Sequence, residues 1–232
     1  MKRNFFKQPF KEQIEYFKKK TPVPQASFKD LPEGYHDFSF SVAGLTRADL
    51  LHDLQLLVQK HIEEGESLED FQKKFDRLIG RRGWRPTPEP ESKEYARRVR
   101  TIIETNQRQS YRAGRYEQVE KLSPRSPNNF IVWIHGDSPD YRPRHKELHM
   151  KALPKDHPFW KTCLPPCGYG CKCRFSVLPE SLLEQRGYEI LKDIPDPEEI
   201  ADPSFRRIPG TASREGAIKD GKARLPKELR NF

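Results

Sequence analysis

All four cysteines of this chain fall within eleven positions, at Cys163, Cys167, Cys171 and Cys173. Thiols gathered that tightly pin the backbone around one point, and in a reducing cytosol they indicate metal before disulfides. The spacing is C-x3-C-x3-C-x-C rather than the C-x2-C pairs of zinc knuckles and ribbons. A structural zinc takes four protein ligands and keeps no open position, and these four cysteines alone could fill one site; a catalytic zinc, no metal, or a transient disulfide are the alternatives. His145 and His149 stand four apart and on a helix would share a face, as two imidazoles meeting one metal do. The string H-K-E-L-H, however, has its glutamate one position later than the H-E-x-x-H of zinc proteases. Proline and charge flank His145 and His157, and His149 and His157 read as packing or hydrogen-bonding residues.

Core material is scarce. Only 34% of the 232 residues are hydrophobic and 33% are charged, and adding 13 glycines leaves the apolar share below the roughly 45–50% usual for globular chains. A modest core with extended or partner-dependent segments is expected. The formal net charge of +9 favours a polyanionic partner, although acidic residues are interspersed through most of the basic ones. No run approaches the ~18 consecutive apolar residues of a membrane span, and the first residues lack the apolar stretch of a secretory signal.

Residues 1–24 read as a basic amphipathic arm. Lys2, Arg3, Lys7, Lys11, Lys18, Lys19 and Lys20 surround Phe10, Ile14 and Phe17, which lie on one helical face. Such an arm either docks on a partner or packs on its own domain. Residues 25–122 read as a helical domain. Alternation over 36–42 suits a short strand; Thr46 with Asp49 and Ser67 with Asp70 each resemble capping boxes that open amphipathic helices, the second closing at Gly80. These two helices make a hairpin. After the proline-rich link Pro86-Thr87-Pro88-Glu89-Pro90, the proline-free stretch 92–122 reads as one long helix. Its Arg108, Arg112 and Arg115 are candidate contacts for phosphate or acidic neighbours, or simply a solvated face. Residues 123–190 form a small β/irregular region in which Phe130-Ile131-Val132-Trp133-Ile134 is a buried strand. Residues 191–232, rich in proline and charge, read as a flexible tail.

Several strings together resemble a known family. Pro9-Phe10, Phe40-Ser41-Val42-Ala43-Gly44, Gly83-Trp84, Thr105-Asn106, Tyr111-Arg112-Ala113-Gly114-Arg115, Arg142-Pro143-Arg144-His145, Asp156-His157-Pro158-Phe159-Trp160 and Gly168-Tyr169-Gly170-Cys171-Lys172-Cys173-Arg174 are similar to the phage Mu F-like head morphogenesis proteins. The resemblance implies a minor capsid protein acting in head assembly or maturation. With no G-x-S-x-G, Walker loop or G-x-G-x-x-G in the sequence, the chain is read as a non-enzyme. The resemblance further implies association with the portal protein and capsid subunits, non-specific contact with packaged DNA, and a place in the virion. In that family the elements around His145, Cys171 and Cys173 are typical, whereas Cys163 and Cys167 depart from it. His145 therefore stands as an alternative ligand beside the four cysteines, and zinc as the expected structural cofactor.

The fold expected is α+β and mainly helical: a helical hairpin, a long central helix, and a small β/irregular C-terminal region with the Cys/His cluster. The alternatives to an assembly role are a zinc-dependent nuclease and a sequence-independent DNA-binding protein. The first needs an open metal position and a general base. The second needs steeply salt-dependent binding.

Overall fold

A computed structural model describes residues 10–27, 36–84, 88–89, 92–122, 128–138 and 140–210. The chain divides into two compact units, one taking the described residues up to Ser110 and the other spanning Tyr111–Thr211. Among the described residues no helix is long and apolar enough to cross a membrane. Mainly helical α+β architecture is what the sequence predicted.

The first unit is built on helices. α1 (Lys11–Lys18) turns Phe17 fully inward, edge-on to Phe40 at 5.8 Å. Its buried Gln13 donates to the Gln107 carbonyl at 3.1 Å and the Ser110 hydroxyl at 3.2 Å. The apolar face of the expected arm is thus spent within its own unit. Two short parallel strands follow, β1 (Thr21–Pro22) and β2 (Ser39–Phe40).

α2 (Ala48–Glu64) buries Leu50, Leu51, Leu54, Val58 and Ile62, a stripe at three- and four-residue spacing. Its N-cap is Arg47, not Thr46. The capping-box expectation fails here because the Arg47 guanidinium binds the Asp49 carboxylate at 2.7 Å, and the chain stays extended through Arg47. Gly65 ends the helix in the left-handed region. α3 (Leu68–Arg82) does begin as the sequence predicts, with the Ser67 hydroxyl accepting from the Asp70 N–H at 3.1 Å. It runs past Gly80 and stops at Gly83, the residue that adopts φ 64° and returns its N–H to the last carbonyls. Phe71, Phe75 and Tyr95 then line the core in sequence, with ring centroids 6.1 and 6.2 Å apart. Fully burying each such aromatic contributes about 1.5–3 kcal/mol.

α4 (Lys93–Leu122) contributes residues to each unit, Val99 and Ile103 to the first core and Val119 to the second. The second unit carries a four-stranded sheet in the order β5-β3-β4-β6, made of β3 (Asn129–Ile134), β4 (Lys151–Pro154), β5 (Arg174–Pro179) and β6 (Glu189–Ile190). β3 pairs antiparallel with both neighbours, and β4 pairs parallel with β6. The two-residue period of β3 decides what lies on each face. Phe130 and Val132 join Ala152, Leu178 and Leu183. Ile131 and Trp133 face the other way, into a core with all four cysteines.

Three short helices close that second core: α5 (Pro143–Glu147), α6 (Phe159–Thr162) and α7 (Pro197–Ile200). The expected flexible tail from 191 is corrected here. Asp196 caps α7 through the Glu198 N–H at 2.9 Å, and Ile200, Ala201, Phe205 and Ile208 are all buried. A few apolar side chains at irregular spacing suffice because prolines preset their turns. Residues 211–232 lie outside the described residues.

Candidate metal centre

Three donors converge in the core beneath β3. His145 comes from α5, while Cys171 and Cys173 come from the loop that leads into β5. Their ligand atoms lie within 4.8 Å of one another and all three residues are buried. His145 Nδ1 is 3.4 Å from the Cys171 sulfur and 3.9 Å from that of Cys173. Its other nitrogen, Nε2, is 3.0 Å from the Ile200 carbonyl oxygen. A carbonyl only accepts, so Nε2 carries the hydrogen and the Nδ1 lone pair is left facing the sulfurs.

The pocket favours a thiolate. Cys171 is lowered, first by the Cys173 thiol donating to it, against the effect of burial. Cys173 is pushed up for the reciprocal reasons, the Cys171 thiolate beside it and its own burial. Backbone groups of Cys167 and Gly136 act on the two sulfurs in the direction that favours charge. The buried indole N–H of Trp133 finds no oxygen or nitrogen acceptor, and Cys173 is a thiol it acts on. A charged, metal-bound sulfur supplies what this donor lacks. Imidazole with two thiolates is a donor set whose chemistry suits zinc, and it supplies three of the four positions that a tetrahedral zinc takes. Among the described residues no fourth Cys, His, Asp or Glu joins the group.

The loop bearing the thiols is held on two sides. Arg142 Nη2 meets Asp202 Oδ2 at 2.8 Å, and Gly168 lies against that pair: a Cβ there would stand 2.3 Å from the Asp202 carboxylate. Gly136 presses on Lys172, where a Cβ would come 2.1 Å from the backbone oxygen. At Gly136 the neighbour is backbone and only glycine permits the approach, whereas at Gly168 the neighbours are side-chain ends. Arg112, 1% exposed, donates to the carbonyls of Pro166 and Arg207.

Cys163 and Cys167 stand apart from the three donors. Their sulfurs are 3.3 Å from each other, and neither residue is exposed at all. Cys163 caps α6 with its N–H on the Phe159 carbonyl at 2.8 Å, while the Cys167 carbonyl accepts from the Asp202 N–H at 2.9 Å. These backbone ties belong to the local turns. The four cysteines expected at one point therefore appear as two pairs, with the alternative ligand His145 beside the second. His149 does not share a helix face with His145, because α5 stops at Glu147 and Met150 turns the chain at φ 65°. Its Nδ1 accepts from the His135 N–H at 3.2 Å, and His157 Nδ1 accepts from the Phe159 N–H at 3.2 Å. Trp133 and the Ile200 carbonyl carry no ligand signature. The alternation of β3 points to the Trp133 face, but nothing in the sequence marks the carbonyl.

The basic residues singled out by sequence divide similarly. Lys2, Arg3 and Lys7 lie outside the described residues. Lys11 and Lys19 are exposed, and Lys18 pairs with Glu63 at 2.8 Å. Lys20 is buried, with Nζ 2.5 Å from the His36 carbonyl, and burial lowers its pKa to about 8 despite nearby Asp37. Arg108 pairs with Glu104 at 3.1 Å, and Arg115 donates to Gln118 at 2.6 Å. Lys20 and Arg112 are thus internal fasteners rather than surface for a polyanion, since each is buried and donates to backbone carbonyls.

Comparison with known proteins bears on the same segment. The family model described as "Phage Mu protein F like protein" matches residues 52–176, more than half of the chain. The chain belongs to that family. Two curated relatives fall in it by name. The "Mu-like prophage FluMu F protein" of Haemophilus influenzae is 31% identical over 165 residues, covering 68% of this chain and 39% of the relative. The "Putative capsid assembly protein F" of Escherichia phage Mu is 29% identical over 192 residues, covering 78% of this chain and 43% of the relative. The chain thus spans about two-fifths of the length of these Mu F-like relatives. No solved structure matches. The family match contains His145, Cys171 and Cys173, so the candidate centre lies within the part shared with the family.

Proposed function

We propose that this chain acts in assembly of a tailed-phage head as a non-enzymatic component that works by contact. The observation that carries the reading is family membership together with likeness to a relative named as a putative capsid assembly protein. Portal protein and capsid subunits are the partners we assign, in the virion and, during assembly, in the host cytoplasm. Packaged DNA is a further, sequence-independent contact. The exposed Lys11 and Lys19 provide basic surface for it, Lys2, Arg3 and Lys7 are assigned to the same contact from the sequence, and such binding falls steeply with salt.

In this reading His145, Cys171 and Cys173 would hold a zinc ion by three of its four positions, and the ion would supply a fixed positive charge between α5 and the loop before β5. The residues around it have their own tasks. The Ile200 carbonyl orients the imidazole, Trp133 and the Gly136 and Cys167 backbone stabilise charge on sulfur, and the surrounding core keeps water away.

The test is genetic and structural. Deleting the coding region from its phage and imaging lysates should show loss of filled heads, restored by the wild-type chain supplied in trans. Normal heads in the deletion would overturn the assembly role. Portal and capsid subunits should co-purify with the full chain from infected cells, whereas association with neither would overturn the partner assignment.

A further inference from the structure

The Cys163 and Cys167 thiols are assigned nothing by the metal centre, yet they lie against each other in the core. They sit 3.3 Å apart, buried, four positions apart in the chain. Cys167 approaches the metal donors through its backbone, which acts on the Cys171 sulfur, while its own thiol is directed to Cys163. Burial and the Cys163 thiol raise the Cys167 pKa.

We propose that Cys163 and Cys167 form a dedicated disulfide site that closes when the protein leaves a reducing environment, independently of the metal donors. The chemistry is thiol–disulfide exchange with a low-molecular-weight disulfide such as oxidised glutathione. When the segment opens transiently, the thiolate of one cysteine attacks that disulfide and releases one glutathione thiol, leaving a mixed disulfide. The second cysteine then attacks the protein sulfur and displaces the other glutathione. Two electrons pass from the cysteine pair to the glutathione disulfide, and both thiol protons go to the departing glutathiones. The small approach needed to turn a 3.3 Å contact into a bond of about 2.05 Å lies within side-chain adjustment.

The bond would staple a segment that the centre depends on. Pro166 accepts from Arg112, the Cys167 carbonyl accepts from the Asp202 N–H, and Gly168 follows against the Arg142–Asp202 pair. That such closure occurs in released particles rests on the proposed virion role. The pairing itself does not, and purified protein tests it.

The experiment uses the full zinc-loaded chain, both folded and refolded, in oxidised/reduced glutathione buffers, followed by alkylation, tryptic mapping and zinc assay. The expected product has lost two hydrogens and kept its zinc. Its tryptic peptide 162–172 carries one alkyl group, on Cys171, instead of three. Urea unfolding should shift to a higher midpoint in the oxidised form. Zinc released in step with oxidation, or a disulfide involving Cys171 or Cys173, would overturn the proposal by showing one shared site. Four free thiols after refolding in strongly oxidising buffer would overturn it equally. A head-assembly phenotype that fails to appear leaves this result unaffected, so the two readings fail separately.

Discussion

His145 and Ile200 lie 55 positions apart and are joined by a buried 3.0 Å contact between the imidazole Nε2 and a backbone carbonyl oxygen. That contact determines which ring nitrogen faces the thiols. It also explains why the segment beyond 195 is ordered against the core: it completes the centre from below. Placing α7 required no apolar periodicity, only Pro197 at its first position, the Asp196 cap and four buried side chains.

The first prediction concerns that imidazole. His145→Asn removes the Nδ1 ligand and the tether to Ile200 together. Zinc affinity should fall by at least the roughly 10–100-fold that follows loss of supporting groups alone. Competition with a chromophoric chelator measures it, and affinity equal to wild type would rule His145 out as a ligand.

Gly136→Ala tests the approach of the β3 extension to the Cys loop. The added methyl meets backbone at Lys172, which cannot rotate away, so unfolding in urea should be destabilised by about 1–3 kcal/mol. Gly65→Ala, where nothing stands within 4 Å but φ is 64°, isolates the cost of backbone strain. Wild-type stability in Gly136→Ala would contradict the close approach at Lys172.

Ser67→Ala should cost about 1 kcal/mol, as expected when an N-cap side chain is removed. Thr46→Ala should cost much less, because Thr46 caps nothing. Equal losses in thermal or urea melts would contradict the assignment of the two caps.

A pH dependence follows from His61. Burial lowers its pKa below the ordinary 6.5, with Glu66 opposing and Lys74 adding to the shift, and its Nδ1 has no hydrogen-bond partner. The folded form therefore holds it neutral while the unfolded chain protonates first. Its contribution is fully present above about pH 6.5 and is lost as pH falls through the folded value. His61→Leu should flatten the decline in stability between about pH 6.5 and 5, where carboxylates titrate little. An unchanged slope would show that His61 does not set it.

Much of this fold was legible because its signals are local. The stripe from Leu50 to Ile62, the Ser67 cap, the proline-free run that became α4 and the apolar string of β3 each act within a few residues. The centre was only half legible. Cysteine spacing located it and resemblance to the family brought in His145, but C-x3-C-x3-C-x-C says nothing about which thiols face each other. That choice depends on backbone ties of Cys163 to Phe159 and of Cys167 to Asp202, which are turn geometry rather than pattern. Charge misled for the same reason. Lys20 and Arg112 look like surface cations in a basic chain, and only tertiary structure shows them bound to carbonyls.

Metal content tests the central claim most directly. The full chain, purified without an affinity histidine tag, should carry one zinc by elemental analysis, and the Cys171→Ser, Cys173→Ser double variant should carry none. Cys163→Ser, Cys167→Ser should retain it. Wild-type protein without metal, or stoichiometric zinc persisting in the first double variant, would contradict a centre built on His145, Cys171 and Cys173.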